Sequence, residues 1–344
     1  MVTRIPAAEL TDYLERLYQA VGMAPADSRT MAEAHVEADL RGIPGHGSRL
    51  APNYLAKLRS GRLNPRSRMT VLAESAGCLT LDGDLAPGPL AAARAVRGAV
   101  ERARRAGVGL VTVRGSGHAG ALGVHVTRAA RQGLIGVLAA QTSSASVALH
   151  GGTGQPVLGN SALSIAVPGP EPEQPVLLDM ATAAMSWGAV HQHARTGRLL
   201  PEGCALDRDG NQVRDPTEAA ALLPGGARGQ GLAILLELLV GTLTGSSPLP
   251  AGQEGRGLLC LAIDPAHLGI APQLVAGVQE VGHTVRAPGG ARMPGDRAWA
   301  QRADAVAHGI SLDEADLRAL VEAGRPAVPA PAGWAIHPTT SART

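Results

Sequence analysis

Apolar residues recur at helical spacing through residues 7–42. The stretch AAELTDYLERLYQAVG closes at Gly22, and APADSRTMAEAHVEADLRG opens on Asp27 or Ser28 as N-cap and closes at Gly42. A turn, IPGHGS, leads to a further helix, APNYLAKLRSG, so the N-terminal block is predicted to be all helical. From about residue 69 the period changes. MTVLAES and CLTLDGD read as a strand hairpin, followed by a helix in GPLAAARAVRGAVERARRAG. VGLVTVR, IGVLAAQTS, SALSIAVPGP, PVLLDMAT and GLLCLAID read as strands. GALGVHVTRAARQG, PQLVAGVQEVG and SLDEADLRALVEAG read as helices, and RGQGLAILLELLVGTLTG is the most apolar helix of the chain. LDRDGNQVRDP is a short polar hairpin. Its DRDGN is no calcium loop, because Pro216 and the missing flanking helix exclude an EF-hand. The fold class is α/β (α+β).

At roughly 150 residues per domain, 344 residues make about two domains. With 45% hydrophobic and 17% charged residues the chain can bury a large core. A net charge of +2 argues against a nucleic-acid or membrane-surface partner. Three scattered cysteines, Cys78, Cys204 and Cys260, exclude a disulfide framework and a zinc cluster, so no metal is expected. No apolar run reaches membrane-spanning length and the N-terminus lacks the apolar core of a signal peptide, which leaves a cytoplasmic protein as the expectation.

Gly115, Gly117 and Gly120 spell G-x-G-x-x-G after a strand and before a helix. A dinucleotide fingerprint also needs an acidic residue at the end of the next strand, and LIGVLAAQT has none. The other reading is that this turn presents His118, a residue suited to proton transfer near neutral pH. His46 sits between Gly45 and Gly47 in a second bare turn. Asp179 ends an apolar strand, where it could bind ribose hydroxyls, orient a histidine or cap a helix. The turn LLPGGARGQG opens a long helix, so its N–H groups and Arg228 could meet a phosphate. ARMPGDR adds a Pro-Gly turn flanked by arginines.

Taken in order, ADLRGIPGHGSRL, LDGDLAPGPLAAARA, RGSGHAGALG, HGGTGQPVLGNSALSIAVPG, LLDMATAAMSWG, LLPEGCALDRDGNQVRDP and LLPGGARGQGLAILLELLVGTLTG resemble the type-2 malate/L-lactate dehydrogenase family over residues 5–324. That family includes ureidoglycolate and sulfolactate dehydrogenases, diketogulonate reductases and cyclic-imine carboxylate reductases. The resemblance implies its non-Rossmann NAD(P)-binding fold with a helical N-terminal part. It implies a helical domain over 1–72 joined by a C-terminal helix at 300–325, a connecting segment over 73–125 and a cofactor-binding domain over 126–290, with a flexible tail over 326–344. His118 and His46 become the catalytic histidines, with Ser48, Arg49 and Tyr54 for substrate. NADH or NADPH would be held by Thr142, Asp179, Met180, Ala181, Arg228 and the turn Gly295, Asp296, Arg297. A homodimer acting on a small molecule is implied as well.

The sequence departs from the family pattern around the substrate. Gly45 replaces the serine before the first histidine, and Leu50 stands where an arginine grips the substrate carboxylate. Arg49 is one residue earlier. GNSA replaces Gly-Thr-Asn-Pro at 159–162, and Arg228 replaces a lysine. The expectation is an NAD(P)H-dependent reductase of a C=O or C=N bond whose substrate is not plain malate or lactate. A 2-hydroxy-acid dehydrogenase using Arg49 for the carboxylate is the alternative, and a non-redox enzyme or ligand-binding protein on the same scaffold is a third.

Overall fold

The computed structural model describes residues 2–250, 252 and 255–334. Two compact units divide the chain. One runs to Arg66 and resumes at Arg297, and the other is Ser67–Asp296.

In the first unit, β1 (Val2–Ile5) precedes α1 (Ala7–Ala20) and α2 (Pro25–Leu40). Pro25 occupies the first turn of α2 with no side-chain cap, so Asp27 and Ser28 lie inside the helix. Leu10, Tyr13, Leu14, Leu17 and Tyr18 recur three or four apart and are almost fully buried, which fixes the face that α1 turns inward. Two 3₁₀ turns, Pro44–His46 and Ser48–Leu50, lead into α3 (Ala51–Arg59).

The second unit is built on a seven-stranded sheet. Its first elements are β2 (Thr70–Glu74), β3 (Cys78–Asp82), α4 (Gly88–Ala106), β4 (Val108–Ser116), α5 (Leu122–Ala130) and β5 (Ile135–Ala140). Then come β6 (Val147–Ala148), β7 (Pro156–Leu158), β8 (Ala162–Val167), β9 (Val176–Ala181) and α6 (Trp187–Thr196). After β10 (Ala205–Leu206), β11 (Gln212–Val213) and β12 (Ala221–Leu222), α7 (Gly226–Leu236) runs into a π-turn, Glu237–Thr242. β13 (Arg256–Ile263) and α8 (Ala271–Arg286) complete the unit.

The large sheet has the order β2-β3-β4-β13-β5-β8-β9, and only β3 and β4 pair in parallel. This antiparallel order is not that of a doubly wound dinucleotide fold, so the G-x-G-x-x-G spacing has no such meaning here. The pleat assigns the faces. The row through Val111, Cys260 and Leu138 lies under α4 and α5, where Gly98 approaches Val111 and Gly136 approaches Val126. The opposite row, through Leu259, Ala139 and Leu163, meets Leu236 and Val240 of α7 and its π-turn. A smaller sheet, β11-β10-β12-β6-β7, closes over a core of Val147, Leu158, Val190, Leu200 and Leu222.

The chain returns to the first unit through α9 (Asp296–His308), β14 (Ile310–Asp313) and α10 (Glu314–Gly324). The N-terminal block is therefore not all helical, because β1 and β14 pair antiparallel from Val2↔Asp313 to Ile5↔Ile310. The expected helix SLDEADLRALVEAG starts as that strand, and Asp313 then caps α10 by accepting the Asp316 N–H at 2.8 Å. The expected flexible tail is packed over residues 326–334. Val328 and Trp334 are buried, Trp334 lies 4.7 Å from the Tyr13 ring, and its indole N–H donates to Glu9. The remainder of that tail, 335–344, lies outside the described residues. The C-terminal helix expected over 300–325 is broken into α9, β14 and α10, and α6 had no counterpart among the expected elements. No helix among the described residues is long and apolar enough to cross a membrane, and none of their side chains cluster as a metal site.

Candidate active site

In the second unit, His118 lies on the loop between β4 and α5 and is half-buried. Its Nδ1 accepts the Gly120 N–H at 3.4 Å. The preceding segment 83–88 is laced to the same stretch: Gly83 N–H donates to Arg114, Leu85 N–H to Gly115, and Gly117 N–H to the Ala86 carbonyl at 2.9 Å. Helix α4 begins directly against the loop, so that a Cβ on Gly88 would stand 2.1 Å from the His118 carbonyl oxygen. Only glycine permits this approach. The LDGDLAPGPL stretch is thus the bed on which the His118 loop rests.

Asp179 is joined to that loop through α5. The β8–β9 register places Asp179 opposite Ser164, on the α5 side of the sheet, and Met180 opposite Leu163 on the other side. The Asp179 carboxylate accepts the Gly123 N–H at 2.9 Å, five residues beyond His118. This is a first-turn amide of α5, where negative charge is favoured. Beyond Ala181, the Thr182 carbonyl accepts the Gly225 N–H at 2.9 Å and docks the start of α7, whose N-terminus has no side-chain cap. Arg228 is exposed in its first turn. Thr182 N–H donates to the Ser161 carbonyl at 3.1 Å, and Ala183 N–H to Asn160 Oδ1 at 2.9 Å. These bonds bring the 159–161 loop, the end of β9 and the α7 turn together. The turn at 293–296 lies on the outer edge of β9, with Leu177 N–H donating to Pro294. There Asp296 is paired with Arg286 at 2.7 Å, and this contact holds its carboxyl below the usual carboxylate range. Arg297 is exposed.

These residues suit a dinucleotide with phosphates. The Thr142 and Thr182 hydroxyls are buried with no hydrogen-bond partner among the described residues. An uncapped helix N-terminus carrying an arginine is a ready anion site.

In the first unit, His46 ends a 3₁₀ turn held by one face of α2. His35 and Asp39, four apart, lie on that face. His35 bridges the Tyr18 hydroxyl (2.8 Å from Nε2) and the His46 carbonyl (3.3 Å from Nδ1). Burial pushes His35 down to about 4, so it is neutral. Neutral His35 therefore donates from Nδ1 to the carbonyl and accepts the Tyr18 hydroxyl at Nε2. Asp39 accepts the Ser48 N–H at 2.8 Å and is pushed up to about 6 by burial. It lies so close to Gly47 that a Cβ there would come within 1.7 Å of Oδ1. Burial also lowers His46. Tyr54 is buried edge-on against His35 at 5.2 Å. Arg49 is taken up by Asp316, with Nε donating to Oδ2 at 2.8 Å, and Asp313 lies 3.8 Å from its guanidinium. His35, Asp39 and Glu237 escaped the sequence reading. The first two are polar residues spaced i, i+4 and directed inward, and Glu237 is a lone acid inside an apolar run.

The sequence profile described as malate/L-lactate dehydrogenase matches residues 5–321. Among characterised relatives, a Δ1-pyrroline-2-carboxylate/Δ1-piperideine-2-carboxylate reductase of Pseudomonas syringae pv. tomato is 35% identical over 91% of this chain and 94% of its own. An L-sulfolactate dehydrogenase of Methanothermobacter thermautotrophicus is 33% identical over 90% and 93%. The crystal structure of a dehydrogenase from Sinorhizobium meliloti superposes with a TM-score of 0.86 at 32% identity, covering 94% of this chain and 98% of that one. The chain belongs to the malate/L-lactate dehydrogenase family. It is accordingly an NAD(P)-dependent oxidoreductase acting on small molecules.

Proposed function

We propose that the protein is a reductase of a cyclic imine or ketone, with His118 as the proton donor and NADH or NADPH as the reductant. One bond carries this reading: Asp179, at the end of β9, accepts the amide of Gly123 at 2.9 Å, which ties the His118 loop to the proposed cofactor residues. Thr142, Asp179, Met180, Ala181 and Arg228 would hold the cofactor, with Gly295, Asp296 and Arg297 as a further turn. The bound nicotinamide supplies a hydride to the C=N or C=O carbon. His118, in its imidazolium form, would give a proton to the heteroatom and be left as the neutral ring, the state in which Nδ1 can accept the Gly120 N–H. His46 is proposed as the second active-site histidine. Lowered by burial, it is neutral near pH 7 and suits a hydrogen-bonding role better than a general acid's. Ser48, Arg49 and Tyr54 are proposed to shape the substrate site.

The alternative of a 2-hydroxy-acid dehydrogenase gripping its carboxylate with Arg49 is disfavoured, because that guanidinium is already neutralised by Asp316. A homodimer is proposed from the surface of the second unit. Leu235, Leu238, Leu239 and Leu243 form one stripe along α7 and its π-turn, each about half exposed (48–55%), a patch that in soluble proteins marks an interface.

The test is His118→Ala in an assay of NAD(P)H oxidation with cyclic imines and ketones. The expected result is a loss of about 10²–10⁴-fold in kcat with unchanged cofactor binding. Full activity in this variant would remove His118 from the mechanism.

A further inference from the structure

Glu237 opens the π-turn after α7 and is 2% exposed, inside the otherwise apolar run LAILLELLV. A π-turn inside a helix is uncommon and occurs often at functional sites. The carboxylate gathers three donors from two separate segments. Oε2 accepts from Gln141 Nε2 at 2.5 Å, and Oε1 accepts from the Gly159 N–H at 3.0 Å and the Ser161 hydroxyl at 3.3 Å. Gln141 precedes Thr142, whose buried hydroxyl has no partner among the described residues. Ser161 passes the contact on, since its carbonyl accepts the Thr182 N–H at 3.1 Å, and the Thr182 carbonyl in turn anchors Gly225 at the start of α7 at 2.9 Å. A second buried charge secures the far side of the same segment, where Arg256 donates to the Ser143 carbonyl at 2.7 Å. Placing a carboxylate in an apolar core is costly unless hydrogen bonds compensate, and here each donor comes from a loop flanking the proposed cofactor residues.

We infer that Glu237 is a positioning residue of the reductase. Its carboxylate sets the spacing between the 141–143 and 159–161 segments, so that Thr142, Thr182 and the α7 turn bind the cofactor in register. Glu237 itself touches neither cofactor nor substrate. The inference rests on the proposed assignment of Thr142 and Arg228 to the cofactor.

The experiment compares full-length wild type, Glu237→Gln and Glu237→Asp. Fluorescence titration gives Kd for NADH and NADPH, steady-state kinetics give KM and kcat, and a thermal melt checks folding. Gln keeps the shape but turns one oxygen into a donor facing another donor, and Asp keeps the charge but draws it back by one methylene. The expected result is a cofactor Kd and KM raised about tenfold or more in Glu237→Gln, from one lost hydrogen bond to a buried charge. Substrate KM and kcat at saturating cofactor should stay within about threefold. Glu237→Asp should fall between the two, and it decides the matter if the Gln variant does not fold. Variants that bind cofactor like wild type, even with a lowered melting temperature, would make Glu237 a purely structural group and overturn this inference alone. Wild type that binds neither cofactor would overturn both this inference and the functional reading beneath it.

Discussion

A single methyl group at Gly88 should disable the His118 loop without touching any side chain of the site. The Cβ of Gly88→Ala would lie 2.1 Å from the His118 carbonyl oxygen and 2.4 Å from that of Gly117. Ordinary carbon–oxygen contact is about 3.4 Å, so loop or helix must retreat by roughly 1.3 Å. Neither is free to do so cheaply. The Gly117 amide is bonded to Ala86 on the helix side, and the Ser116 hydroxyl is bonded to the Arg256 carbonyl on the sheet side. A displacement of about 1 Å in a reacting group costs up to ~10²-fold in rate, which is about 2.7 kcal/mol in the barrier. Overpacking should also destabilise the fold by about 1–3 kcal/mol. The assay is kcat for imine or ketone reduction at a temperature well below the melting point of the variant, with cofactor Kd measured alongside. The outcome expected is a fall in kcat of about 10²-fold with Kd nearly unchanged. Gly277→Ala is the control, because no atom lies within 4 Å of a Cβ there, and helix propensity makes it neutral or mildly stabilising. A folded Gly88→Ala enzyme with kcat within twofold of wild type would refute the claim that this close approach positions His118.

Two buried groups on α2 should oppose one another in acid. His35 is lowered from 6.5 to about 4, so between these values the unfolded chain binds more protons and stability falls with falling pH, by about 3 kcal/mol in all. Asp39 is raised from 3.8 to about 6, so the folded chain binds more protons there and stability falls with rising pH, by about 3 kcal/mol. Wild type should therefore show little net change from these two groups between pH 7 and pH 4, whereas Asp39→Asn should lose about 3 kcal/mol over that range in urea titrations. A flat profile in the variant would count against neutral His35. Arg228→Ala should raise the cofactor KM by about five- to tenfold at constant kcat in initial-rate kinetics, and an unchanged KM would take Arg228 off the phosphate path. If the proposed dimer forms through this stripe, Leu235→Arg should give monomers in light scattering, and a dimer that persists would place the interface elsewhere.

Strands with one buried face, β13 among them, could be read from periodicity. GLLCLAID is an example: Leu258, Cys260 and Ala262 alternate inward with little exposure. Elements fixed by partners remote in sequence could not be read. The strand at 310–313 exists because it pairs with residues 2–5 some three hundred positions away. α6 escaped for another reason, since it buries a single side chain, Val190, and shows no stripe. Family motifs pointed to His118, Asp179 and Arg228, but local pattern could not show that LDGDLAPGPL supports the His118 loop or that Arg49 is claimed by Asp316. His35 and Asp39 look like ordinary helix residues until the 44–50 turns are seen folded over them.

Hydride transfer to a carbon of a cyclic imine or ketone leaves an isotopic mark that can be followed. The protein would be incubated with NADH or NADPH deuterated at nicotinamide C4 and a panel of cyclic imines and ketones, Δ1-piperideine-2-carboxylate among them, with products analysed by mass spectrometry. One deuterium is expected on the former C=N or C=O carbon with wild type, appearing about 10²–10⁴-fold more slowly with His118→Ala. Wild-type enzyme that binds the cofactor yet labels no member of the panel, or a His118→Ala enzyme that labels as fast as wild type, would contradict this mechanism.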